Sequence, residues 1–127
     1  MDVTARSSDF VALGHPGNEH YAGLETFPNP GVERVELAGD ELTSVCPITG
    51  QPDLYRLTIA YRPDALCLES KSVKLYLMSF RNEGVFCEAL AVRIRDDVAA
   101  ALELDAGRVS VTLEQKARGG ITITASV

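Results

Sequence analysis

The sequence predicts an α+β fold in which an antiparallel four-stranded sheet carries two helices on one face. Two stretches in the first half alternate apolar and polar residues, as strands with one buried face do. Two stretches with helical spacing of apolar residues follow, and two more alternating stretches close the chain. Because strands and helices are segregated in the order ββααββ, an antiparallel sheet is favoured over a parallel one.

The length and composition favour one domain preceded by an arm. A chain of 127 residues with 46% hydrophobic content is long enough to enclose a single core. Residues 1–30 are rich in glycine and proline and have no sustained period, so we expect an irregular N-terminal arm docked on that core. Residues 31–127 then form the single domain.

The first two strands are predicted on either side of the segment LTSVCPITGQPD, residues 42 to 53. Before it, the run VERVELAG places Val35 and Leu37 on one face. After it, the run LYRLTIAYR alternates inward and outward side chains. Its inward residues are Tyr55, Leu57, Ile59 and Tyr61.

The two helices are predicted from their apolar spacing. In SKSVKLYLMSFRN the apolar residues Val73, Tyr76, Leu77 and Phe80 fall at i, i+3, i+4 and i+7, and Gly84 provides a helix stop. A longer helix is expected from about Val85 to Leu104. Its inward side comprises Phe86, Leu90, Ala91, Ile94, Val98, Ala101 and Leu102.

The last two strands are joined by the turn-like sequence KARGG. The inward residues are Val109, Val111 and Leu113 in RVSVTLEQ, and Ile121 and Ile123 in GITITASV. Few charges or prolines in these strands discourage edge pairing, so we expect assembly through sheet edges.

The overall charge and the cysteines restrict the function classes. The net charge of −6 disfavours RNA or DNA as a partner. No apolar run approaches the roughly 18–20 residues that span a bilayer, and the first ten residues lack a signal-peptide core, so we expect a cytoplasmic protein. Reduced thiols are expected, and no metal site, because Cys46, Cys67, Cys87, His15 and His20 lack metal-ligand spacing.

Cys46 and Asp53 are the first candidate catalytic pair. Two prolines and a glycine follow Cys46 and indicate a stiff loop, a common location for reactive groups. Seven residues of tight loop can bring Asp53 back to the thiol as its proton partner. On composition alone, a buried structural cysteine and a turn aspartate remain the more frequent alternatives.

Ser70, Lys71 and Lys74 lie in the first turns of the first predicted helix. Hydroxyl, amide and ammonium donors at a helix N-terminus suit a phosphate. A solvated basic face is the alternative, although lysines near a helix start are slightly unfavourable with the helix dipole.

Glu88 and Arg118 also allow two interpretations. Glu88 lies among apolar residues, where a carboxylate normally has a partner such as a heterocycle with adjacent N–H donors. An exposed glutamate in the first turn of a helix is the alternative. Arg118 is either a hairpin-turn residue or an anion contact.

Four segments in order, LTSVCPITGQPD, ESKSVKLYLMSFRN, GVFCEAL and RGGITI, together resemble the NADPH-dependent 7-cyano-7-deazaguanine reductases, the QueF nitrile reductases of queuosine biosynthesis. The resemblance covers about residues 13 to 124 and includes LETFPNP in the arm. It implies the tunnelling fold, in which several subunits join their sheets into a barrel with active sites between subunits. It also implies a homo-oligomer, in this family a decamer of two pentameric rings.

The resemblance implies roles for the candidate residues. Cys46 would attack the nitrile carbon to form a covalent thioimide, and Asp53 would move protons to and from the thiol and the nitrile nitrogen. Glu88, with Phe86 and Cys87 beside it, would hold the 7-deazapurine. The NADPH-binding positions would be Ser70, Lys71, Lys74 and Arg118.

One position departs from the family pattern, because Cys87 stands where the family has a histidine between phenylalanine and glutamate. A thiol titrates near 8.5 rather than near 6.5, so Cys87 cannot simply replace an imidazole as acid or base at neutral pH. Two other functions therefore remain open. One is an archaeosine-type amidine synthase that also forms a thioimide, and the other is a non-catalytic deazapurine-binding paralogue.

Overall fold

The computed structural model describes residues 23–127. In chain order the elements are β1 (Thr26–Pro28), β2 (Val35–Val45), β3 (Pro52–Tyr61), β4 (Leu66–Leu68), α1 (Ser70–Met78), α2 (Cys87–Leu102), a short 3₁₀ helix (Ala106–Arg108), β5 (Val109–Arg118) and β6 (Ile121–Ser126). The strands form a four-stranded sheet in the order β2-β3-β5-β6 and a separate two-stranded sheet of β1 and β4.

The four-stranded sheet is antiparallel throughout, as the sequence predicts. Leu57 and Ile59 of β3 lie opposite Leu113 and Val111 of β5, so the apolar residues of neighbouring strands share one face. β2 and β6 are the two edge strands. The predicted order ββααββ is confirmed for this sheet.

Both helices pack on the apolar face of the four-stranded sheet. Val73, Tyr76 and the neighbouring Phe80 join the core from the α1 side. The buried residues of α2 recur with helical spacing and are Cys87, Leu90, Ala91, Ile94, Val98, Ala99 and Leu102. In the described part of the chain, no helix is long and apolar enough to cross a membrane.

The helix α1 ends earlier than its apolar pattern suggests. It stops at Met78, although Phe80 continues the periodicity and is fully buried. The Ser79 hydroxyl donates to the Tyr76 carbonyl oxygen (2.5 Å), which satisfies a backbone acceptor at the helix end. Gly84 therefore lies in the connection after the helix rather than directly at its end.

Part of the arm that we expected to be irregular is a strand. Thr26–Pro28 pair antiparallel with Leu66–Leu68. The Glu25 N–H also donates to the Ser72 hydroxyl (2.9 Å), which ties this segment to the start of α1. Three-residue strands contain too few residues for a period, so the sequence pattern does not reveal them. Residues 1–22 of the predicted arm lie outside the described residues.

Two residues predicted to face inward are exposed, Phe86 and Ile121. Phe86 has extended backbone and caps α2, which begins at Cys87, so it does not lie on the buried helical face. Ile121 follows the β5–β6 turn, where the strand register shifts between Gln115 and Arg118, and it extends beyond the core. The second helix is also shorter than expected at its C-terminal end, where Glu103 adopts φ 58°.

Candidate active site

Cys46 lies immediately after β2 at the start of a closed turn, residues 46–51, which we call the Cys46 loop. The Cys46 N–H donates to the Gln51 carbonyl oxygen (2.8 Å), and the Cys46 carbonyl oxygen accepts from the Gly50 N–H (2.9 Å). Gly50 has φ 71°, a conformation that favours glycine. The turn therefore leads from β2 into β3 and brings Cys46 next to the start of β3.

The Cys46 loop is attached to the segment between the two helices. The Val45 N–H donates to the Glu83 carbonyl oxygen (3.0 Å), and the Val85 N–H donates to the Val45 carbonyl oxygen (3.2 Å). A Cβ at Gly84 would lie 3.2 Å from the Pro47 Cα, so glycine allows this close approach. These contacts bring the N-terminal end of α2 to the side of the Cys46 loop.

The environment of Cys46 favours a thiolate. The Thr49 hydroxyl, the N–H groups of Thr49 and Ile48 and the Arg118 guanidinium together lower the pKa of Cys46 to about 6, and partial burial opposes them only weakly. The residue is 8% exposed. A thiolate at neutral pH is the nucleophilic form of cysteine.

Asp53 and Arg118 form an ion pair beside this thiolate. Asp53 is 5% exposed in β3, and its Oδ1 lies 3.2 Å from Arg118 Nε. Arg118 also donates through Nη1 to Gln51 Oε1 (2.5 Å) and to Thr49 Oγ1 (3.4 Å). The spacing argument that placed Asp53 near Cys46 agrees with this geometry, because both residues flank the Cys46 loop.

A buried hydrogen bond supports the loop from the core side. The Ser44 and Tyr55 hydroxyls lie 2.8 Å apart and are fully buried. Burial raises the pKa of Tyr55, so the phenol stays neutral. Ser44 is directly opposite Asp53 in the β2–β3 ladder. The strand ends that carry the candidate pair are therefore held by a satisfied polar contact.

Sequence analysis missed Thr49, Gln51, Ser44 and Tyr55 as site residues. Thr49 and Gln51 lie within the LTSVCPITGQPD segment, whose proline-rich loop was the available signal. The alternation of apolar and polar residues predicted that Tyr55 is buried, but it did not indicate the hydrogen bond between the Tyr55 and Ser44 hydroxyls. Ser44 and Tyr55 lie on different strands, and Thr49 and Gln51 contact Arg118 on β5, so spacing along the chain does not reveal these contacts.

The three residues at the start of α2 have different environments. Phe86 is 55% exposed, and Glu88 is exposed in the first turn of the helix. Cys87 is 1% exposed, with its Sγ 4.0 Å from the Leu113 carbonyl oxygen. Burial, followed by the charge of Glu88, raises the pKa of Cys87 to about 11. Cys87 is therefore a neutral core thiol at neutral pH.

The cofactor candidates are divided between two places. Ser70 and Lys74 line a groove of about 650 Å³ between α1 and β2, whose walls include Leu37 and Leu57. Arg118, at the end of β5, contacts the Cys46 loop instead. One chain therefore brings Ser70 and Lys74 together without adding Arg118 to them.

The N-terminus of α1 does not offer the free amides that we expected for a phosphate. The Glu69 carboxylate is 3% exposed and accepts from the N–H groups of Lys71 and Ser72, both at 2.7 Å. A carboxylate thus occupies the position that a phosphate would take at a helix N-terminus. Two of the amides at this helix start are therefore occupied, and an anion here would rely mainly on the side chains of Ser70, Lys71 and Lys74.

The described residues, 23–127, contain no group of three His, Cys, Asp or Glu side chains that could hold a metal ion. His15 and His20, considered as metal ligands above, lie outside that range.

Comparison with known proteins gives consistent matches over most of the chain. A family model described as QueF-like protein matches residues 52–127. A protein of Frankia casuarinae named NADPH-dependent 7-cyano-7-deazaguanine reductase is 47% identical over 115 residues, 90% of this chain and 90% of the relative. Proteins with the same name from Chlorobium chlorochromatii and Syntrophus aciditrophicus are 48% and 52% identical, covering 82% and 80% of this chain and 90% and 73% of the relatives.

A solved structure has the same arrangement of elements. The crystal structure of the archaeosine synthase QueF-Like in the apo form aligns with a TM-score of 0.68 and 25% sequence identity. The alignment covers 76% of this chain and 93% of that chain. The α+β tunnelling fold predicted for the single chain is confirmed, whereas its assembly into a barrel stays a prediction.

Proposed function

Because the chain belongs to the QueF family of NADPH-dependent 7-cyano-7-deazaguanine reductases, we propose that it reduces the nitrile of 7-cyano-7-deazaguanine to an aminomethyl group with NADPH. This reaction serves queuosine biosynthesis and hence tRNA modification. The observation that carries the proposal is the Cys46 thiolate held beside the Asp53–Arg118 ion pair. A nitrile carbon is an electrophile suited to that nucleophile.

The Cys46 thiolate would begin the reaction by forming a bond to the nitrile carbon while the nitrile nitrogen takes a proton. The product is a covalent thioimide, whose C=N bond accepts hydride more readily than a nitrile does. NADPH, when bound, supplies two hydrides in successive steps. Two protons are taken up overall, and the carbon–sulphur bond breaks so that the thiolate is regenerated.

Asp53 is the group that we assign to proton transfer. It is nearly buried and flanks the same loop as Cys46, so a nitrile carbon at the sulphur would place its nitrogen close to this carboxyl. Arg118 orients the carboxylate through the 3.2 Å contact to Oδ1. Cys87, the residue in place of the family histidine, is buried with a pKa of about 11 and cannot share this task at neutral pH.

The start of α2 is the proposed substrate-binding end of the site. The exposed Glu88 carboxylate can accept from a ring N–H and an exocyclic amine of the 7-deazapurine. The exposed Phe86 ring can stack on the planar heterocycle. We propose that Cys87, beneath them, contributes the shape of the site rather than a proton.

NADPH fits the chemistry of the groove between α1 and β2. The groove combines apolar walls with Ser70 and the Lys74 ammonium, which suit a nucleotide and its phosphates. Among the described residues, neither Lys74 nor Lys71 is held in an ion pair, so both cations are available. Arg118 lies at the Cys46 loop, away from this groove. It would contact NADPH if a neighbouring subunit or a bound substrate brought the cofactor to that loop.

We propose that the protein works as a cytoplasmic homo-oligomer with active sites between subunits. The edge strand β6 has the sequence ITITAS, which lacks charges and prolines, and β2 forms the opposite edge. Pairing of these edges would close a ring, in this family a pentamer that doubles to a decamer. The net charge of −6 makes nucleic acid an improbable partner.

The experiment that tests this function uses the purified full chain with 7-cyano-7-deazaguanine. Intact-mass measurement should show one covalent adduct, and added NADPH should then be oxidised at two equivalents per substrate. An adduct without NADPH oxidation would replace the reductase with an amidine-forming enzyme. The absence of both adduct and oxidation would leave only deazapurine binding.

A further inference from the structure

Arg118 lies at the end of β5, directly before the turn formed by Gly119 and Gly120. Both glycines have positive φ, 64° and 81°, and the arginine lies at the turn end of the hairpin. From there its guanidinium reaches the Cys46 loop. It contacts Asp53 at 3.2 Å, Gln51 at 2.5 Å and Thr49 at 3.4 Å.

We propose that Arg118 is a positioning residue that holds the Cys46 sulphur and the Asp53 carboxylate in one ionised arrangement before any ligand binds. This role rests on the proposed function of the same site and goes beyond it, because the resemblance assigns Arg118 to the cofactor. The planar guanidinium has several donors in a fixed fork, so it can contact the loop and the carboxylate at the same time. A single ammonium lacks that geometry.

Electrostatics gives Arg118 two effects on the thiolate. The guanidinium is always charged at neutral pH, and it stabilises the thiolate directly. It also neutralises Asp53, whose negative charge would otherwise oppose a second anion close by. Removal of Arg118 therefore takes away a cation and exposes an anion, and both changes raise the pKa of Cys46.

This arrangement separates the tasks of Cys46 and Asp53. The groups that lower the pKa of Cys46 are Thr49, Ile48 and Arg118, and the Asp53 carboxylate is engaged with Arg118. Asp53 is therefore not the base that deprotonates the thiol. Asp53 can relay a proton to the nitrile nitrogen only after it takes one from solvent, because the thiolate has none to give. If Asp53 were the base for the thiol, Asp53→Asn would raise the pKa of Cys46. If Arg118 stabilises the thiolate, Asp53→Asn should leave that pKa unchanged or lower it.

The other titratable groups around the loop do not supply this cation. The titratable or charged side chains on the elements packed against the Cys46 loop include Asp53, Tyr55, Glu83, Cys87, Glu88 and Arg118. Glu83 is paired with Arg93 on α2. In the described chain, the cation whose hydrogen bonds to the loop are seen is Arg118, through Thr49 and Gln51.

The test measures the rate of Cys46 alkylation by iodoacetamide against pH, by intact mass, without substrate or NADPH. The wild-type rate should rise with pH to an inflection near 6. The Arg118→Met variant should move the inflection up by about half a unit, because the Thr49 and Ile48 contacts, which lower this pKa more, remain in place, and alkylation becomes about threefold slower at pH 5.5 or below. Arg118→Lys should give an intermediate inflection, because it keeps the charge without the fork.

Three controls make the result specific. Arg56→Met removes an exposed arginine that pairs with Asp40 and should leave the inflection unchanged. Cys46→Ser gives the background from Cys67 and Cys87. Asp53→Asn should leave the inflection at or below the wild-type value.

The proposal is overturned if Arg118→Met titrates like the wild type, or if Asp53→Asn raises the inflection. If Arg118→Met fails to fold, the inflections of Asp53→Asn and Arg118→Lys still test the proposal. The outcome is also independent of the proposed reaction. Suppose that substitution of Arg118 moves the inflection but the protein forms no nitrile adduct. The reductase function would then be rejected, and this role of Arg118 would stand.

Discussion

Replacement of Glu69 by alanine should destabilise the protein strongly, because this carboxylate caps α1 from a buried position. Its two oxygens accept from the N–H groups of Lys71 and Ser72 at 2.7 Å, and the residue is 3% exposed. Loss of both acceptors leaves two N–H donors without partners, one of them buried. Each unsatisfied donor costs about 1–2 kcal/mol, so we expect a loss of about 2–4 kcal/mol in the free energy of unfolding.

Urea unfolding followed by circular dichroism measures this loss, at one fixed protein concentration because oligomer formation makes stability concentration-dependent. Glu33→Ala, an exposed glutamate outside the helices and strands, is the matched control and should stay within about 0.5 kcal/mol of the wild type. A Glu69→Ala effect no larger than that of the control would refute the capping role. Glu69→Gln should fall between the two, because an amide oxygen can still accept from one N–H.

Three further predictions concern the active site. Cys46→Ala should abolish the nitrile adduct seen by intact mass, whereas Cys87→Ala should keep it, and the reverse would exchange their roles. Lys74→Met should raise the KM for NADPH about tenfold, at about 1.4 kcal/mol for a lost charged contact, with Lys116→Met as the control. Glu88→Gln should raise the KM for the deazapurine by a similar factor in steady-state kinetics, and an unchanged KM would remove Glu88 from the substrate site.

Hydrophobic periodicity was sufficient to predict the helices and strands that bury one face along most of their length. In β3, Tyr55, Leu57 and Ile59 are all buried, because alternate side chains of a half-buried strand must face the core. The same reasoning failed at Phe86 and Ile121, which lie just outside an element where the period no longer applies. The division into an arm of residues 1–30 and a domain of residues 31–127 stays a prediction.

The site was predictable to the extent that its residues are close along the chain. Cys46 and Asp53 are joined by a short loop, so their neighbourhood follows from turn chemistry. Arg118 is far away in sequence and reaches the same loop because β5 lies beside β3 in the sheet. The resemblance gave the family, which the comparisons confirm, but it grouped Arg118 with Ser70 and Lys74 on the cofactor. Within one chain the structure places Arg118 apart from Ser70 and Lys74, and its cofactor role stays a prediction.

The two thiols at the ends of this site show why residue type alone did not identify the nucleophile. Cys46 and Cys87 are both little exposed, yet the pKa of Cys46 falls to about 6 and that of Cys87 rises to about 11. Hydroxyl, amide and guanidinium donors surround the first sulphur, whereas apolar burial and a neighbouring carboxylate act on the second. At neutral pH, Cys46 is then an anion without a proton to give, and Cys87 retains its proton. The proton required by the nitrile nitrogen must therefore come from solvent, either directly or by way of Asp53, whose carboxylate Arg118 holds beside the Cys46 loop.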